Sequence, residues 1–353
     1  MRSAAPTRPV VPLLAMIAAC GAVAACGGTA TSTTGGTGGT GGIVGAGGTR
    51  GDVPANPVAE DTRDFLATEL NFYYPEGIGQ STEVTTNPCG LDAGTDNTMY
   101  EPLIYDEVVV TGFDMDGTVS NGDAGLCGQA DFPGTDGGDG VDYAFLHVID
   151  MIRPIRPDQI ARGVLAQAPS EGLINFGIRL SGVDDLDNDD SVEVLVITTI
   201  EPPQRGTDGR IIALSSVTID PTPEWRTTFN GRIVDGVLTT DPADFVLGDI
   251  DLLVIFDRVI RLSDARLRAT FIERDNGVIE VDGLLSGWWS RENMLHAISQ
   301  VVTAIGANDG ELACAFDTWA DRSTDGETCD SMSMIFKVGA VSGFLTGFEL
   351  AEE

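Results

Sequence analysis

The sequence has few basic side chains and almost no lysine. Of its 353 residues, 20 are basic and 54 are acidic, which gives a net charge of −34 (20 − 54), and Lys337 is the only lysine. Because so few cations cannot neutralise phosphates, we exclude non-specific nucleic-acid binding and a basic helix lying on an anionic membrane. The hydrophobic content of 42% is nonetheless too high for a disordered acidic chain, so the sequence predicts a globular core under an acidic surface.

The sequence also lacks the short motifs that identify common enzymes. Gly283–Gly287 does not have the spacing of a nucleophile elbow, and we find no H-E-x-x-H, P-loop or G-x-G-x-x-G followed by a helix. The two histidines, His147 and His296, are isolated and are expected to be packed or surface side chains. A glycosidase needs only two carboxylates, so the sequence leaves open whether the protein is an enzyme.

Residues 1–25 have the features of a lipoprotein signal peptide. Arg2 and Arg8 precede the apolar stretch 10–25, which is shorter than a membrane-spanning helix. The stretch ends in Val-Ala-Ala-Cys26, which resembles a bacterial lipobox. That resemblance implies cleavage before Cys26 and lipidation of its sulfur. Cleavage at Cys20, or an ordinary secretory peptide cut near Ala25, are the alternatives.

Residues 26–53 are expected to form a lipidated cysteine and a flexible tether. Residues 27–50 contain 11 glycines and 7 threonines, and Arg50 is their only charge. Such a segment cannot bury enough surface to fold. The predicted location is therefore the cell envelope, on the outer membrane or the cell surface, with the membrane as a partner through the lipid.

Four cysteines remain in the predicted mature protein, and they are expected to form disulfides. Their even number suits an exported domain and leaves three possible pairings. We favour Cys89–Cys127 and Cys314–Cys329, because the second pair would staple a local polar segment. Zinc is disfavoured since no C-x-x-C pair is present.

Residues 54–353 are predicted to form a single, mainly β body: a large antiparallel sheet or sandwich with a few peripheral helices. Within residues 54–170 we expect Asp/Gly-rich loops and three helices, at Val58–Leu70, Val141–Ile152 and Asp158–Ala168. Within residues 171–353 we expect antiparallel strands and an amphipathic helix at 290–306. These strands are Leu173–Ser181, Val192–Ile200, Arg210–Ile219, Thr227–Asp235, Phe245–Phe256, Arg266–Arg274 and Ser333–Leu345.

Two Asn-Gly dipeptides, Asn230-Gly231 and Asn276-Gly277, predict hairpin turns, because Asn-Gly readily adopts the positive φ of a type I′ turn. Trp288-Trp289 lies on a predicted strand, where adjacent residues face opposite sides. One ring can therefore be in the core and the other exposed, where it could stack on a sugar. The alternative, which we favour, is that the rings pack in the core or at an interface.

An Asp/Gly-rich segment predicts a calcium site. Residues 112–123 fit part of an EF-hand register, and the acidic run continues to residue 142. So many carboxylates in one compact loop would repel each other unless a cation or ample water screened them. The predicted ligands are Asp114, Asp116, Thr118, Ser120, Asp123, Asp136, Asp139 and Asp142. Two weaker calcium candidates are Asp185–Asp187–Asp189 and Asp321–Ser323–Asp325.

The layout as a whole resembles a group of uncharacterised bacterial lipoproteins. The shared features are the lipobox at Cys26, the Gly/Thr tether, the Asp114–Asp142 region and the Asp325–Asp330 segment. This resemblance implies a shared fold and no known activity. Three function classes remain: a non-enzymatic surface module that binds a glycan or protein and is stabilised by calcium, a carrier of an apolar ligand inside a curved sheet, and an exported hydrolase.

Overall fold

The computed structural model describes residues 61–76, 78–80, 85–86, 89, 99–100, 103–104, 108–122, 127–151, 168–169, 171–250, 258–296 and 309–347. The predicted signal peptide, the tether and nearly all of the predicted Asp158–Ala168 helix lie outside these residues. Within them the fold is mainly β, as predicted, with one large antiparallel sheet and few helices.

The large sheet closes on itself into a barrel of eight strands. Its order is β10-β9-β7-β6-β1-β14-β13-β12, and β10 pairs with β12 to complete the ring, while β11 pairs with the other half of β12. The sheet is therefore a barrel rather than a sandwich. The strands are β1 (Thr62–Phe72), β6 (Phe176–Ser181), β7 (Asp189–Thr198), β9 (Arg226–Val234), β10 (Val237–Thr240), β11 (Ala243–Ile250), β12 (Arg258–Glu273), β13 (Ile279–Ser290) and β14 (Ser331–Ser342).

Shorter elements surround the barrel. Three two-stranded sheets pair β2 with β5, β3 with β4, and β8 with β15. Their bounds are β2 (Gly79–Gln80), β3 (Thr85–Thr86), β4 (Met99–Tyr100), β5 (Leu103–Ile104), β8 (Ser216–Thr218) and β15 (Phe344–Thr346). Helices occur at α1 (Phe145–Met151) and α2 (Asp309–Trp319), residues 291–296 are helical, and Pro223–Trp225 is a 3₁₀ turn. Within the described residues, no helix combines the length and apolarity required to cross a membrane.

Apolar side chains from the strands fill the barrel interior as one continuous cluster. Phe65, Phe229, Trp289 and Phe336 are among its most deeply buried members. Phe145 of α1 packs within 6.0 Å of the Trp289 ring, so the helix adds to this core. Each such side chain stabilises the fold by about 1.5–3 kcal/mol through burial.

Two layers cover the outer wall of the barrel. In the first, β8 and β15 bury Leu66 and Ile197 beneath Val217 and Leu345. In the second, the residues that we call the acidic overlay (108–122 and 127–142) bury Trp288 beneath Phe113 and Met115. Trp288 and Trp289 do face opposite sides, and both are buried, so the expectation that both rings pack is confirmed and neither is exposed to stack on a sugar.

The predicted Val58–Leu70 helix is wrong, because residues 62–72 form strand β1. Phe65 points into the barrel, whereas its neighbour Leu66 packs under β8 and β15 on the outside. With both faces of the strand covered, the apolar residues do not alternate with polar ones, and the period of two is hidden.

One of the two predicted hairpin turns is wrong. Asn276-Gly277 does turn the chain between β12 and β13, with Gly277 at φ 77°. Asn230-Gly231, by contrast, lies inside β9, and the turn comes at Asp235-Gly236, where both residues have positive φ (51° and 75°). Gly231 serves close strand packing instead, since a Cβ there would lie 2.9 Å from the Thr239 carbonyl oxygen.

Two disulfides are present, but the predicted pairing is wrong. Cys89 bonds Cys314, and Cys127 bonds Cys329. The local Cys314–Cys329 staple was based on a turn-rich segment, whereas Cys314 actually lies in α2, which was not predicted. Both bonds therefore tie the N-terminal part of the body to its C-terminal part.

The other predicted helices and strands are partly confirmed. The Val141–Ile152 helix is shorter, Phe145–Met151, and the described start of the 290–306 helix is helical at 291–296. The predicted C-terminal strand is divided into β14 and β15. The predicted Arg210–Ile219 strand shrinks to Ser216–Thr218.

Candidate metal site

The acidic overlay is held together by its own backbone hydrogen bonds and is tied to strand β12 by a side chain. Phe132 and Val141 exchange backbone hydrogen bonds, and the Asp142 amide donates to the Phe113 carbonyl over 3.1 Å. From the barrel, Arg266 donates to the carbonyl oxygens of Asp114 (2.7 Å) and Met115 (3.2 Å). These contacts fix the turn that carries the first acidic residues.

Three aspartates of the overlay converge. Asp114, Asp116 and Asp142 each offer a carboxylate oxygen, and these oxygens lie within 4.8 Å of one another. Asp114 and Asp116 are exposed, whereas Asp142 is only 4% exposed. The structure thus brings together residues 114 and 142 from opposite ends of the predicted site.

Asp142 lies in an environment that disfavours its charge. Its Oδ2 accepts a hydrogen bond from the Met115 amide over 2.6 Å. Burial is the main reason why its pKa is raised to about 8, and the neighbouring charges of Asp321, Asp131 and Asp116 raise it further. The Met115 amide opposes this shift without overcoming it.

Asp321 and Asp131 extend the cluster from two other segments. Asp321, in the loop before β14, accepts hydrogen bonds from the Ser333 amide (2.8 Å) and hydroxyl. Burial raises the pKa of Asp321 to about 7, against these hydrogen bonds. Burial likewise raises the pKa of Asp131, whose Oδ2 accepts from the Ser120 amide.

The remaining predicted ligands have different roles. Thr118 donates its amide and hydroxyl to Asp116 Oδ1, both over 2.8 Å, while Ser120 is tied to Asp131 through its amide. Asp136 caps the Gly138 amide over 3.1 Å. Asp136 and Asp139 are exposed and do not belong to the converging set, and Asp123 lies outside the described residues.

The two weaker candidates do not form converging sets among the described residues. In the first, Asp185 and Asp189 cap backbone amides of their own turn. The pKa of Asp189 is lowered, chiefly by the hydrogen bond from Ser191. In the second, Asp325 accepts bonds from its own loop, with the Thr328 amide as the first cause that lowers its pKa to about 2. Ser323 donates a hydrogen bond to Asp325. Asp321 instead lies near Asp142, whose pKa its charge raises.

The overlay is not an EF-hand. Gly112, at the first position of the predicted register, is enclosed: a Cβ there would lie 2.6 Å from Val141 and 2.7 Å from Ile335. Among the described residues Asp142 joins Asp114 and Asp116, whereas Asp123, at position twelve of the register, lies outside them. Gly140 (φ 96°) allows a close approach, since a Cβ there would lie 3.1 Å from the Thr118 carbonyl and 3.5 Å from Asp114 Oδ2.

Asp131 and Asp321 act on Asp142 through their charges but do not belong to the converging set. The sequence placed Asp131 in the acidic run and Asp321 in a separate candidate site. Asp131 is held by hydrogen bonds with Ser120 inside the overlay, whereas Asp321 is brought close by long-range contacts, which include the Cys127–Cys329 disulfide between the overlay and the segment that precedes β14. The correct cysteine pairing would have been the one signal in the sequence that joins residues near 131 to residues near 321.

The donor set fits a hard cation. All candidate donors are oxygens, which suits Ca²⁺ or Mg²⁺ rather than a thiophilic metal. Calcium binds oxygens at about 2.3–2.6 Å, so two ligands on opposite sides of the ion are about 5 Å apart. The three aspartate oxygens lie within 4.8 Å of one another, so a single ion of that size can contact all three.

His147 packs between aromatic rings, as predicted, rather than in a site for acid–base chemistry. Its ring stacks on Trp319 at 4.0 Å and faces Phe132 at 5.7 Å. Burial lowers the pKa of His147 to about 4, so the imidazole is neutral near pH 7.

No family model, curated protein or solved structure matches the chain. The resemblance to bacterial lipoproteins therefore stays a prediction.

Proposed function

We propose that the chain is an exported lipoprotein, anchored through Cys26, whose body is a non-enzymatic binding or structural module stabilised by calcium. The protein or glycan that it binds would lie at the surface of the cell envelope. The two disulfides support this location, because such bonds persist in oxidising compartments.

The observation that carries the calcium proposal is the buried carboxylate of Asp142 among other acidic groups. Burying an ionised carboxylate costs free energy unless it is paired with a positive charge. The charges that act on Asp142 are those of Asp321, Asp131 and Asp116, and they add to this cost. A divalent cation held by Asp114, Asp116 and Asp142 would remove it.

Thermal unfolding of the mature protein tests the proposal. A ligand that binds only the folded state stabilises it by RT ln(1 + [L]/Kd), which is about 2.7 kcal/mol at 100-fold excess over Kd. We expect EDTA to lower the melting temperature and calcium to restore it better than magnesium does. Asp114→Ala combined with Asp116→Ala should remove most of that response.

The matched control is Asp136→Ala combined with Asp139→Ala. These residues carry the same charge in the same overlay but lie outside the converging set, so their loss should leave the calcium response intact. Identical melts in EDTA and in millimolar calcium would contradict the proposal. An equal loss in both double variants would indicate general screening of the acidic surface rather than a site.

Anchoring is tested separately. Cys26→Ser should release the protein from membranes, because the lipid on this cysteine is the anchor that we propose. Membrane fractionation with radiolabelled palmitate measures this. Palmitate retained by the variant, or label on Cys20, would contradict the assignment.

A hydrolase is the second candidate, because Asp142 and Asp321 are neighbouring carboxyls with raised pKa values. A protonated carboxyl near neutral pH is what a general acid requires. However, Asp142 is only 4% exposed within the overlay, so a substrate would not reach it in this structure. Hydrolysis of a glycan panel that is abolished by Asp142→Asn would favour this candidate. The apolar-carrier alternative is not favoured, because described side chains pack into one continuous core.

A further inference from the structure

The only lysine of the chain lies directly opposite an asparagine in the barrel. Lys337 on β14 and Asn71 on β1 are register partners on the outer face. Side chains at directly opposed positions of an antiparallel pair have Cβ atoms about 4.5–5.5 Å apart, so the lysine amine can reach the asparagine amide.

A carboxylate lies next to both groups. Glu69, two residues before Asn71, accepts a hydrogen bond from Asn71 Nδ2 at its Oε1 over 2.7 Å. Its other oxygen, Oε2, lies 3.9 Å from Lys337 Nζ. Asp282, on the neighbouring strand β13, lies 3.7 Å from the same amine on its other side.

The side chain of Asn71 is buried, but its amide oxygen lacks a hydrogen bond within the described part of the chain. It is only 5% exposed, and among the described residues no donor contacts its Oδ1. Buried amide oxygens are normally hydrogen-bonded, because an unpaired one costs free energy. Lys337 is also unusual, since an ion pair with Glu69 could equally use arginine, which supplies all other basic side chains. Arginine stays charged and cannot act as a nucleophile, whereas lysine can.

We propose that Lys337 and Asn71 form an intramolecular isopeptide bond, with Glu69 as the proton-transfer group. In this reaction Nζ of Lys337 attacks Cγ of Asn71. The new C–N bond forms, the Cγ–Nδ2 bond breaks, and ammonia leaves. Glu69 first takes one proton from the Lys337 ammonium, which frees the amine to attack. A second proton of that amine then passes through Glu69 to the departing Nδ2, to which Glu69 is already hydrogen-bonded, and the first proton leaves with the ammonia as ammonium. The reaction needs no oxidant, metal or co-reactant.

Such a bond would join the first strand of the barrel to its last long strand. The two disulfides follow the same plan, since each joins an N-terminal segment to a C-terminal one. The isopeptide bond would add a link that reducing agents cannot open, and it would lie in the barrel wall itself.

Mass spectrometry of the purified full chain tests the proposal directly. We expect the wild-type protein to be lighter, by the mass of one ammonia, than its sequence and disulfides require. After reduction and proteolysis, the peptides that carry Asn71 and Lys337 should remain joined. Glu69→Gln and Lys337→Arg should each show the full mass expected from the substitution alone.

Asp282→Asn is the matched control, because this carboxylate is close to the amine but has no contact with Asn71 among the described hydrogen bonds. The variant should keep the mass deficit. A wild-type protein of full mass, with Lys337 free to react with an amine-specific reagent, would overturn the proposal. Retention of the bond in Glu69→Gln would overturn the role of Glu69.

Discussion

The barrel and the acidic overlay reach a fixed shape by different means. The barrel has continuous ladders of backbone hydrogen bonds and a large apolar interior. The overlay has only a few isolated bridges, and a small apolar contact of Phe113 and Met115 with Trp288. Aspartate caps, Arg266 and the Cys127–Cys329 bond supply the remaining restraints. A segment that is rich in carboxylates and poor in core residues is therefore ordered mainly by what it is attached to.

Substitution of the two adjacent tryptophans should produce the largest difference between the barrel and the overlay. Trp289→Ala should cost about 3–5 kcal/mol, because it empties part of the barrel interior. Trp288→Ala removes the outer-wall contact instead, so it should mainly speed amide hydrogen exchange in residues 108–142. Guanidinium unfolding and hydrogen exchange of both variants measure the contrast. Equal exchange in the overlay of both variants would show that the regions unfold as one unit.

The second-largest difference between the two regions is expected when the disulfides are removed. Removal of either pair by double Cys→Ser substitution should cost about 2–5 kcal/mol, through the entropy of the unfolded chain. Only the loss of Cys127–Cys329 should also weaken the calcium response, because this bond joins the overlay to the segment of Asp321. Chemical unfolding with and without calcium tests both variants. A calcium response that is equally weakened by loss of Cys89–Cys314 would contradict this difference.

The pH dependence of stability should arise largely in the overlay. In EDTA the folded protein keeps a proton on Asp142, whose pKa is raised to about 8, whereas the unfolded chain has lost it. The free energy of unfolding should therefore fall as pH rises from about 4 to 8. Bound calcium should flatten this slope.

His147 should change the free energy of unfolding in the opposite direction, and at lower pH. Because burial lowers its pKa to about 4, its contribution to stability is lost as pH falls from 6.5 to 4. The interval from pH 6.5 to 8 therefore isolates the carboxyl groups. Unfolding curves of wild type and Asp142→Asn over that interval make the comparison, and an equal slope in both would contradict the assignment to Asp142.

The smallest effects are expected at the other acidic turns. Asp185→Asn and Asp325→Asn each remove caps from exposed turns, and they should change stability less than any of the substitutions above. Neither should change the response to calcium. A clear loss of that response in either variant would place an ion outside the Asp114–Asp116–Asp142 set.

The sequence predicted the class of fold better than its connections. Alternating or β-rich segments such as Arg266–Arg274 indicated strands correctly, because the period of two depends only on local burial. The β1 strand was missed because both of its faces are covered, one by the interior and one by β15. Closure of the sheet depends on the pairing of β10 with β12, which no local pattern encodes.

The site was predicted in part for the same reason. Asp114 and Asp116 lie in one turn and could be grouped by spacing alone. The structure brings Asp142 to them from the same acidic run, which also contains Asp131, whereas the position of Asp321 depends on contacts across the fold. The wrong cysteine pairing followed from a preference for short loops, and it hid the proximity of Asp321 to the overlay.

The central claim is that the overlay holds a calcium ion at Asp114, Asp116 and Asp142. Calorimetric titration of calcium into the EDTA-stripped mature protein tests it most directly, with Asp142→Asn as the isosteric comparison. The account predicts saturable binding of one ion by the wild type, with a Kd of about 10⁻⁴–10⁻³ M as in extracellular calcium modules, and its loss in the variant. No saturable heat in the wild type, or equal binding by Asp142→Asn, would contradict the account.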